Sequence, residues 1–236
     1  MERLRAKSQS DIRPRQGTLR RTENQPEPAI VSASTLEPIV ATAMRNYAEE
    51  LVYWYLRLNG FFPLMNFVQH AHGLESSHSA DRDVLALRFP HVVEEIAGKS
   101  DHWDPNLINC LCQKLPVGLI GEVKAGKSPE VTQLIDDQRL TYSLKRLGCF
   151  ADVEEAARRL HTDKSVVFEN CQVIKVFFAK EASRDFSKLP ILPLTLEQLE
   201  KFVRERIQKY WDVKYEAWNH FDSPLLQYFI ESEKRK

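Results

Sequence analysis

The residues best suited to chemistry in this chain stand at the end of one apolar segment. The run Val117–Ile120 leads into Gly121-Glu122-Val123-Lys124, which sets a carboxylate and an ammonium two residues apart. Side chains with that spacing on a β-strand share one face. Charges at the end of a buried strand are costly unless something compensates them. The pattern therefore predicts a site for a divalent cation and a phosphate.

A second acid introduces another strand-like segment. Asp83 stands directly before Val84-Leu85-Ala86-Leu87, and Asp81 on the same segment is the alternative. If the two segments pair, the carboxylates of Asp83 and Glu122 and the carbonyl oxygen of Val123 would hold Mg²⁺ or Mn²⁺. Lys124 would orient a water and offset negative charge in the transition state. These residues predict phosphodiester hydrolysis by metal-activated water.

This pattern resembles the PD-(D/E)XK nuclease superfamily over about residues 39–179. In that family an acid from the first helix, an Asp on the second strand and a Glu/Asp-x-Lys on the third form the active site. The resemblance implies catalytic roles for Glu49, Asp83, Glu122 and Lys124, with Glu50 as the alternative to Glu49. Glu49 precedes Tyr55-Leu56 and Asn59-Gly60-Phe61 by the interval seen in Holliday-junction-resolvase-like members.

A further match follows the Glu-x-Lys motif. Gln138-Arg139-Leu140-Thr141-Tyr142 is similar to the Gln-x-x-x-Tyr element of the RecB-type branch. The resemblance implies that Gln138 and Tyr142 approach the active site or the DNA. Lys127, in the loop behind the motif, is a candidate phosphate contact. The segment at about 90–116 departs from the family, in which a short hairpin usually joins the two acidic strands.

The order of predicted elements is helix, three strands, helix, strand and further helices. It favours an α/β fold with a central mixed sheet flanked by helices, which the resemblance identifies as a restriction-endonuclease-like core. We predict a disordered basic tail at 1–33, a nuclease-like core at 34–190 with an insertion at about 90–116, and a C-terminal helical extension at 191–236.

Local signals place several helices. The first is predicted from Thr35 to Leu58, and Gly60, two residues later, is a typical helix terminator. Ser128-Pro129-Glu130 predicts the start of another, which runs to Leu147. Thr195-Leu196-Glu197-Gln198 resembles a capping box that opens a long helix.

Composition sets broad limits on partners. Lys plus Arg and Asp plus Glu both total 33, so the overall charge neither favours nor excludes DNA. The chain has no membrane-length apolar run and no secretory signal at its start, which predicts a cytoplasmic protein without membrane contact. We also expect the protein to be bacterial. The C-terminal segment offers aromatic side chains for core packing or for a homodimer, namely Trp211, Tyr215, Trp218, Phe221, Tyr228 and Phe229.

The sequence thus predicts a metal-dependent nuclease that acts on DNA, with DNA rather than RNA implied by the resemblance. The alternative is a catalytically silent nuclease-fold subunit that binds nucleic acid or protein in a bacterial defence or mobile-element system. A third hypothesis is an α/β interaction protein whose charges form a buried network.

Overall fold

The computed structural model describes residues 47–69, 80–93, 102–126, 131–168, 170–181, 186, 188–211 and 223–234. Within these ranges the chain forms a mixed β-sheet with helices on both faces. The predicted α/β class and the central mixed sheet are therefore confirmed. The predicted tail at 1–33, the start of the first helix and Lys127 lie outside the described residues.

The first half of the described chain follows the predicted order. Helix α1 is Tyr47–Leu58, strand β1 is Phe62–Gln69 and strand β2 is Ala80–Arg88. Helix α2, Pro105–Ile108, is a single turn capped by the Asp104 carboxylate, and strand β3 is Val117–Lys124. Asp83 does not open β2 as the sequence suggested, because the strand already begins three residues earlier.

The second half of the described chain adds four α-helices, a 3-10 helix and three strands. The predicted strand near 171–179 and the Thr195 capping box are confirmed. Two strands were not predicted because each has only three or four residues, too few to show a period of two. The elements are α3 (Asp137–Leu147), α4 (Val153–Thr162), β4 (Ser165–Val167), β5 (Gln172–Ala179), β6 (Leu192–Thr195), α5 (Leu196–Lys209) and α6 (Pro224–Lys234).

The prediction of one continuous helix up to Leu147 is wrong between Thr132 and Asp136, whereas its predicted start at Ser128-Pro129-Glu130 lies outside the described residues. A 3-10 helix spans Thr132–Ile135, and Asp136 then adopts an extended backbone. The Asp136 carboxylate accepts a hydrogen bond from the Arg139 N–H at 2.8 Å. An Asp that caps a new helix competes with continuation of the old one, so α3 begins only at Asp137. Its end at Gly148, with φ of 66°, is as predicted.

The sheet changes from antiparallel to parallel at β3. Its strand order is β1-β2-β3-β5-β4, and β6 also pairs with β5. Strands β1, β2 and β3 pair antiparallel in sequence, whereas β3 and β5 run parallel from Val117↔Gln172 to Lys124↔Ala179. In open α/β sheets, ligands bind beyond the carboxyl ends of the strands. Lys124 stands at such an end.

Two apolar clusters cover the two faces of the sheet. Leu119 of β3 and Phe178 of β5 pack with α1, α5 and α6 on one face. Ile120 and Phe177, the alternate residues of the same strands, pack with α3 and α4 on the other. Every residue of β3 from Val117 to Val123 is buried, as expected of a strand covered on both sides.

The C-terminal aromatic residues that the structure describes pack mainly within the fold. Phe229 is buried in the core, Trp211 packs against this core cluster, and Tyr228 is exposed. Three others, Tyr215, Trp218 and Phe221, lie outside the described residues. The homodimer through this segment stays a prediction. In the described ranges no helix combines the length and apolar character that crossing a membrane requires.

Candidate functional site

The candidate site lies where β2 and β3 separate. Their paired residues run from Arg88↔Val117 to Val84↔Gly121, directly before Glu122. A Cβ atom on Gly121 would stand 2.4 Å from Val84 Cγ1 and 3.0 Å from Phe178 Cε2. These contacts are too close for a side chain. Glycine therefore allows the strands to pack tightly just before they separate.

Asp83 lies opposite an irregularity in the neighbouring strand. The pairing of β1 with β2 includes Met65↔Val84 and Phe67↔Arg82 but skips the position between them. There Asn66 has a left-handed backbone with φ of 51°, a conformation that Asn tolerates better than most residues. Asp83 Oδ2 accepts a hydrogen bond from the Val123 N–H at 2.6 Å. Its carboxylate thus satisfies a backbone donor just beyond the paired part of β2 and β3.

Three of the predicted site residues converge at this point. Lys124 Nζ is 2.6 Å from Glu122 Oε1 and 3.9 Å from Asp83 Oδ2. The side chains of Lys124 and Asp83 are 32% and 21% exposed, whereas Glu122 is 1% exposed. The ammonium therefore lies between two carboxylates, and solvent reaches two of the three groups.

A fourth charge, Arg82, was not predicted. Its side chain is completely buried, and its Nη1 lies 3.8 Å from Glu122 Oε2. Nε donates to Ser143 Oγ at 3.1 Å, and Nη1 donates to the Gln133 carbonyl oxygen at 2.8 Å. The sequence signal that could have found it is Ser143, a polar residue on the apolar face of α3. Two cations and two carboxylates make the cluster formally neutral.

Burial and neighbouring charges shift the pKa values in this cluster. Burial, followed by the charge of Asp83, raises the pKa of Glu122, although Lys124 and Arg82 oppose the rise. Burial lowers the pKa of Lys124, but the hydrogen bond to Glu122 and its charge outweigh that effect, so the pKa lies above the ordinary value. Burial lowers the pKa of Arg82 to about 10. Both cations are protonated at neutral pH.

The carboxylates fit the needs of Mg²⁺, which protein sites often bind through one or two carboxylates while it keeps several waters. Among the described residues no group of three or more His, Cys, Asp and Glu side chains is placed to hold a metal ion. Asp83 and Glu122 are the two carboxylates of the predicted metal site that meet at Lys124. Glu122 Oε2 is buried and has no hydrogen-bond partner among these residues. Such an acceptor is suited to a cation or a water.

The acids on α1 are not joined to this cluster by any hydrogen bond or ion pair in the described part of the chain. Glu49 is half-buried, and its catalytic role stays a prediction. Glu50 is engaged elsewhere, because its Oε1 accepts a hydrogen bond from Ser223 Oγ at 2.6 Å. That contact ties α1 to the start of α6. It makes Glu50 the weaker of the two candidates.

The predicted substrate contacts lie on α3. Gln138 Nε2 donates to Tyr142 OH at 3.3 Å, one turn along the exposed side of this helix. The charge of Arg139, next to Gln138, acts to lower the pKa of Arg82 and opposes the rise in the pKa of Lys124, as expected if the first turn of α3 lies near the site. Asp81 lies in β2, but its side chain, like Lys127, lies outside the described part.

No protein-family model matches this chain, and comparisons with curated proteins and with solved structures find no similar protein. The resemblance to the nuclease superfamily stays a prediction that rests on its motif residues. The function is therefore argued from the side chains that meet at the end of β3.

Proposed function

We propose that this protein is a metal-dependent nuclease that hydrolyses phosphodiester bonds of DNA. The observation that carries the proposal is the meeting of Asp83, Glu122 and Lys124 from two strands, with Lys124 Nζ at 2.6 Å and 3.9 Å from the two carboxylates. A buried acid, a more accessible acid and a protonated lysine are the groups that metal-assisted phosphodiester hydrolysis uses.

Each side chain has a role in this proposal. Asp83 and Glu122 would hold Mg²⁺ or Mn²⁺, with the Val123 carbonyl oxygen as a further ligand. The ion would supply Lewis-acid polarisation of a phosphoryl oxygen and a bound water of lowered pKa. Lys124 holds its proton at Nζ and donates hydrogen bonds to the attacking water or to a phosphoryl oxygen. It thereby offsets negative charge that develops during the reaction.

In this proposal Lys124 turns from Glu122 towards the substrate. Its 2.6 Å contact with Glu122 Oε1 is a charge-assisted hydrogen bond, which a phosphate oxygen can replace with one of the same kind. Lys124 and Asp83 are the partly exposed groups of the cluster, so a backbone phosphate would approach these two side chains. Gln138 and Tyr142, on the exposed side of α3, are proposed to contact the DNA next to that phosphate.

Nicking of supercoiled plasmid and cleavage of linear, single-stranded and junction DNA, with Mg²⁺, Mn²⁺ or chelator, test the proposal. We expect cleavage that needs the metal and falls on the order of 100-fold in Asp83→Ala and in Lys124→Met. Lys201→Met is the matched control, because Lys201 is an exposed lysine on α5 paired with Glu205. Metal-independent cleavage, or full activity in both site variants, would contradict the proposal.

A second candidate is a nuclease-fold protein that binds nucleic acid without cutting it. Two observations favour it: Glu122 has a cation on each side, and Glu49 has no bond to the cluster among the described residues. A binder of this kind would shift DNA in gels in a salt-dependent way. It would cleave no substrate, and Asp83→Ala and Lys124→Met would keep its affinity.

A further inference from the structure

We propose that Arg82 is a positioning residue for Glu122. Arg82 holds the Glu122 carboxylate in place when Lys124 leaves it for a phosphate or a water. The inference rests on the proposed function and extends it to a residue outside the Asp, Glu-x-Lys pattern. Arg82 itself touches neither substrate nor metal in this proposal. It acts through Glu122.

The guanidinium of Arg82 is fixed from two sides. Ser143 on α3 accepts from Nε at 3.1 Å, and the carbonyl oxygen of Gln133 in the 3-10 helix accepts from Nη1 at 2.8 Å. Ser143 is itself anchored, since its Oγ donates to the Arg139 carbonyl oxygen at 2.8 Å. A long side chain held in this way has already lost its rotamer freedom on folding. It therefore presents a rigid positive charge.

Glu122 meets a different cation at each of its oxygens. Oε1 contacts Lys124 at 2.6 Å, and Oε2 lies 3.8 Å from Arg82 Nη1. Both Oε2 and Arg82 Nη2 are buried and lack a hydrogen-bond partner among the described residues. A movement of about 1 Å would turn the 3.8 Å ion pair into a charge-assisted hydrogen bond of ~2.8 Å. Glu122 thus has a second arrangement, in which Oε2 bonds to the guanidinium of Arg82.

This second arrangement explains how Lys124 can be released. A buried carboxylate that loses its counter-charge is strongly destabilised, and Glu122 is 1% exposed. With Arg82 behind it, Glu122 remains compensated after Lys124 turns towards the substrate. Without Arg82, the release of Lys124 before the metal binds would leave the carboxylate uncompensated. The ion pair of Lys124 with Glu122 would then compete with both metal and phosphate.

Arg88 provides a matched control at the other end of the same strand. It is also a buried arginine whose pKa is lowered by burial. Its Nε donates to the Asn59 carbonyl oxygen at 3.1 Å, and its guanidinium lies 5.3 Å from the centre of the Trp103 ring. Arg82→Met and Arg88→Met therefore both remove a buried guanidinium from β2, but only the former removes the charge beside Glu122.

A milder pair of variants keeps the inference testable if Arg82→Met fails to fold. Ser143→Ala removes one anchor of Arg82 and leaves both charges in place. Thr141→Ala is its control on the same helix, because Thr141 Oγ1 makes the same type of bond, to the Asp137 carbonyl oxygen at 2.9 Å. The full chain is used throughout, and circular dichroism and thermal unfolding monitor folding.

The experiment measures Mn²⁺ affinity by calorimetry and the kinetic constants of plasmid nicking. We expect Arg82→Met to weaken Mn²⁺ binding at least tenfold and Ser143→Ala several-fold, with kcat lowered more than KM is raised. Arg82→Lys should restore part of the affinity because it keeps the charge. Arg88→Met and Thr141→Ala should match the wild type. Wild-type affinity in Arg82→Met and Ser143→Ala, or an equal loss in the controls, would overturn the proposal.

A double-mutant cycle separates this inference from the proposed function. Unfolding of the wild type, Arg82→Met, Glu122→Gln and the double variant measures the coupling of the two side chains without any metal. Strong coupling in a protein that binds no Mn²⁺ would support Arg82 as the positioning residue of Glu122 while the nuclease proposal fails. Absence of coupling would overturn the Arg82 inference even if the protein cleaves DNA.

Discussion

Lys175 offers a quantitative test of the electrostatics of this core. Its side chain is fully buried in the middle of β5, and its Nζ donates a hydrogen bond to the Leu160 carbonyl oxygen in the last turn of α4. Burial lowers its pKa from 10.5 to about 8, although Asp163 acts in the opposite direction. At neutral pH the folded protein therefore keeps a buried ammonium at a cost in stability.

The size and sign of that cost follow from proton linkage. A pKa of about 8 in place of 10.5 corresponds to about 3 kcal/mol at pH 7, at about 1.4 kcal/mol for each pH unit. Between these two pKa values the unfolded chain binds more protons than the folded chain. The contribution of Lys175 to the free energy of unfolding therefore rises with pH, and the penalty falls to about 1 kcal/mol at pH 10.

Lys175→Met removes the charge and keeps much of the apolar stem. It also leaves the Leu160 carbonyl oxygen without this donor, at a cost of about 1 kcal/mol. We therefore expect the variant to be about 2 kcal/mol more stable than the wild type at pH 7 and nearly equal to it at pH 10. Urea unfolding at a series of pH values measures the difference.

Lys145→Met is the control for Lys175→Met, because Lys145 is exposed and only weakly paired with Glu154 at 3.7 Å. Its stability difference from the wild type should stay small and constant over the same pH range. If Lys175→Met were less stable than the wild type at pH 7, the reasoning would be refuted. A difference that does not shrink between pH 7 and pH 10 would refute it equally.

Substitutions at three further positions test local interactions of the fold, each by thermal or urea unfolding. Gly121→Ala should cost about 1–3 kcal/mol or abolish folding, because the new Cβ would meet Val84 Cγ1 at 2.4 Å. Thr195→Ala removes the capping box of α5 and should cost about 1 kcal/mol, whereas Thr195→Ser should recover most of it. Tyr55→Phe breaks the buried 2.7 Å hydrogen bond to Asp104 and should cost about 1–3 kcal/mol; no loss would show that the bond is not needed.

Sequence patterns predicted those elements that carry strong local signals. The apolar spacing of α1, the uninterrupted apolar run of β5 and the Thr195 capping box each reflect interactions within one segment. The short strands β4 and β6 were not predicted because they form through pairing with β5 rather than through a pattern of their own. The start of α3 was predicted too early, because Asp136 caps the helix at a position that the sequence pattern placed inside it.

The sequence by itself determined that Glu122 and Lys124 share a strand face, since a period of two follows from the chemistry of the backbone. It also named Asp83 as an acid on a neighbouring strand. Only the tertiary structure decided how close these groups lie, because the 3.9 Å between Asp83 and Lys124 depends on where β2 and β3 separate. Arg82 belongs to the same category: its position beside Glu122 is set by Ser143 and Gln133, residues more than fifty positions away along the chain. Charges interact through space, and the fold sets those distances.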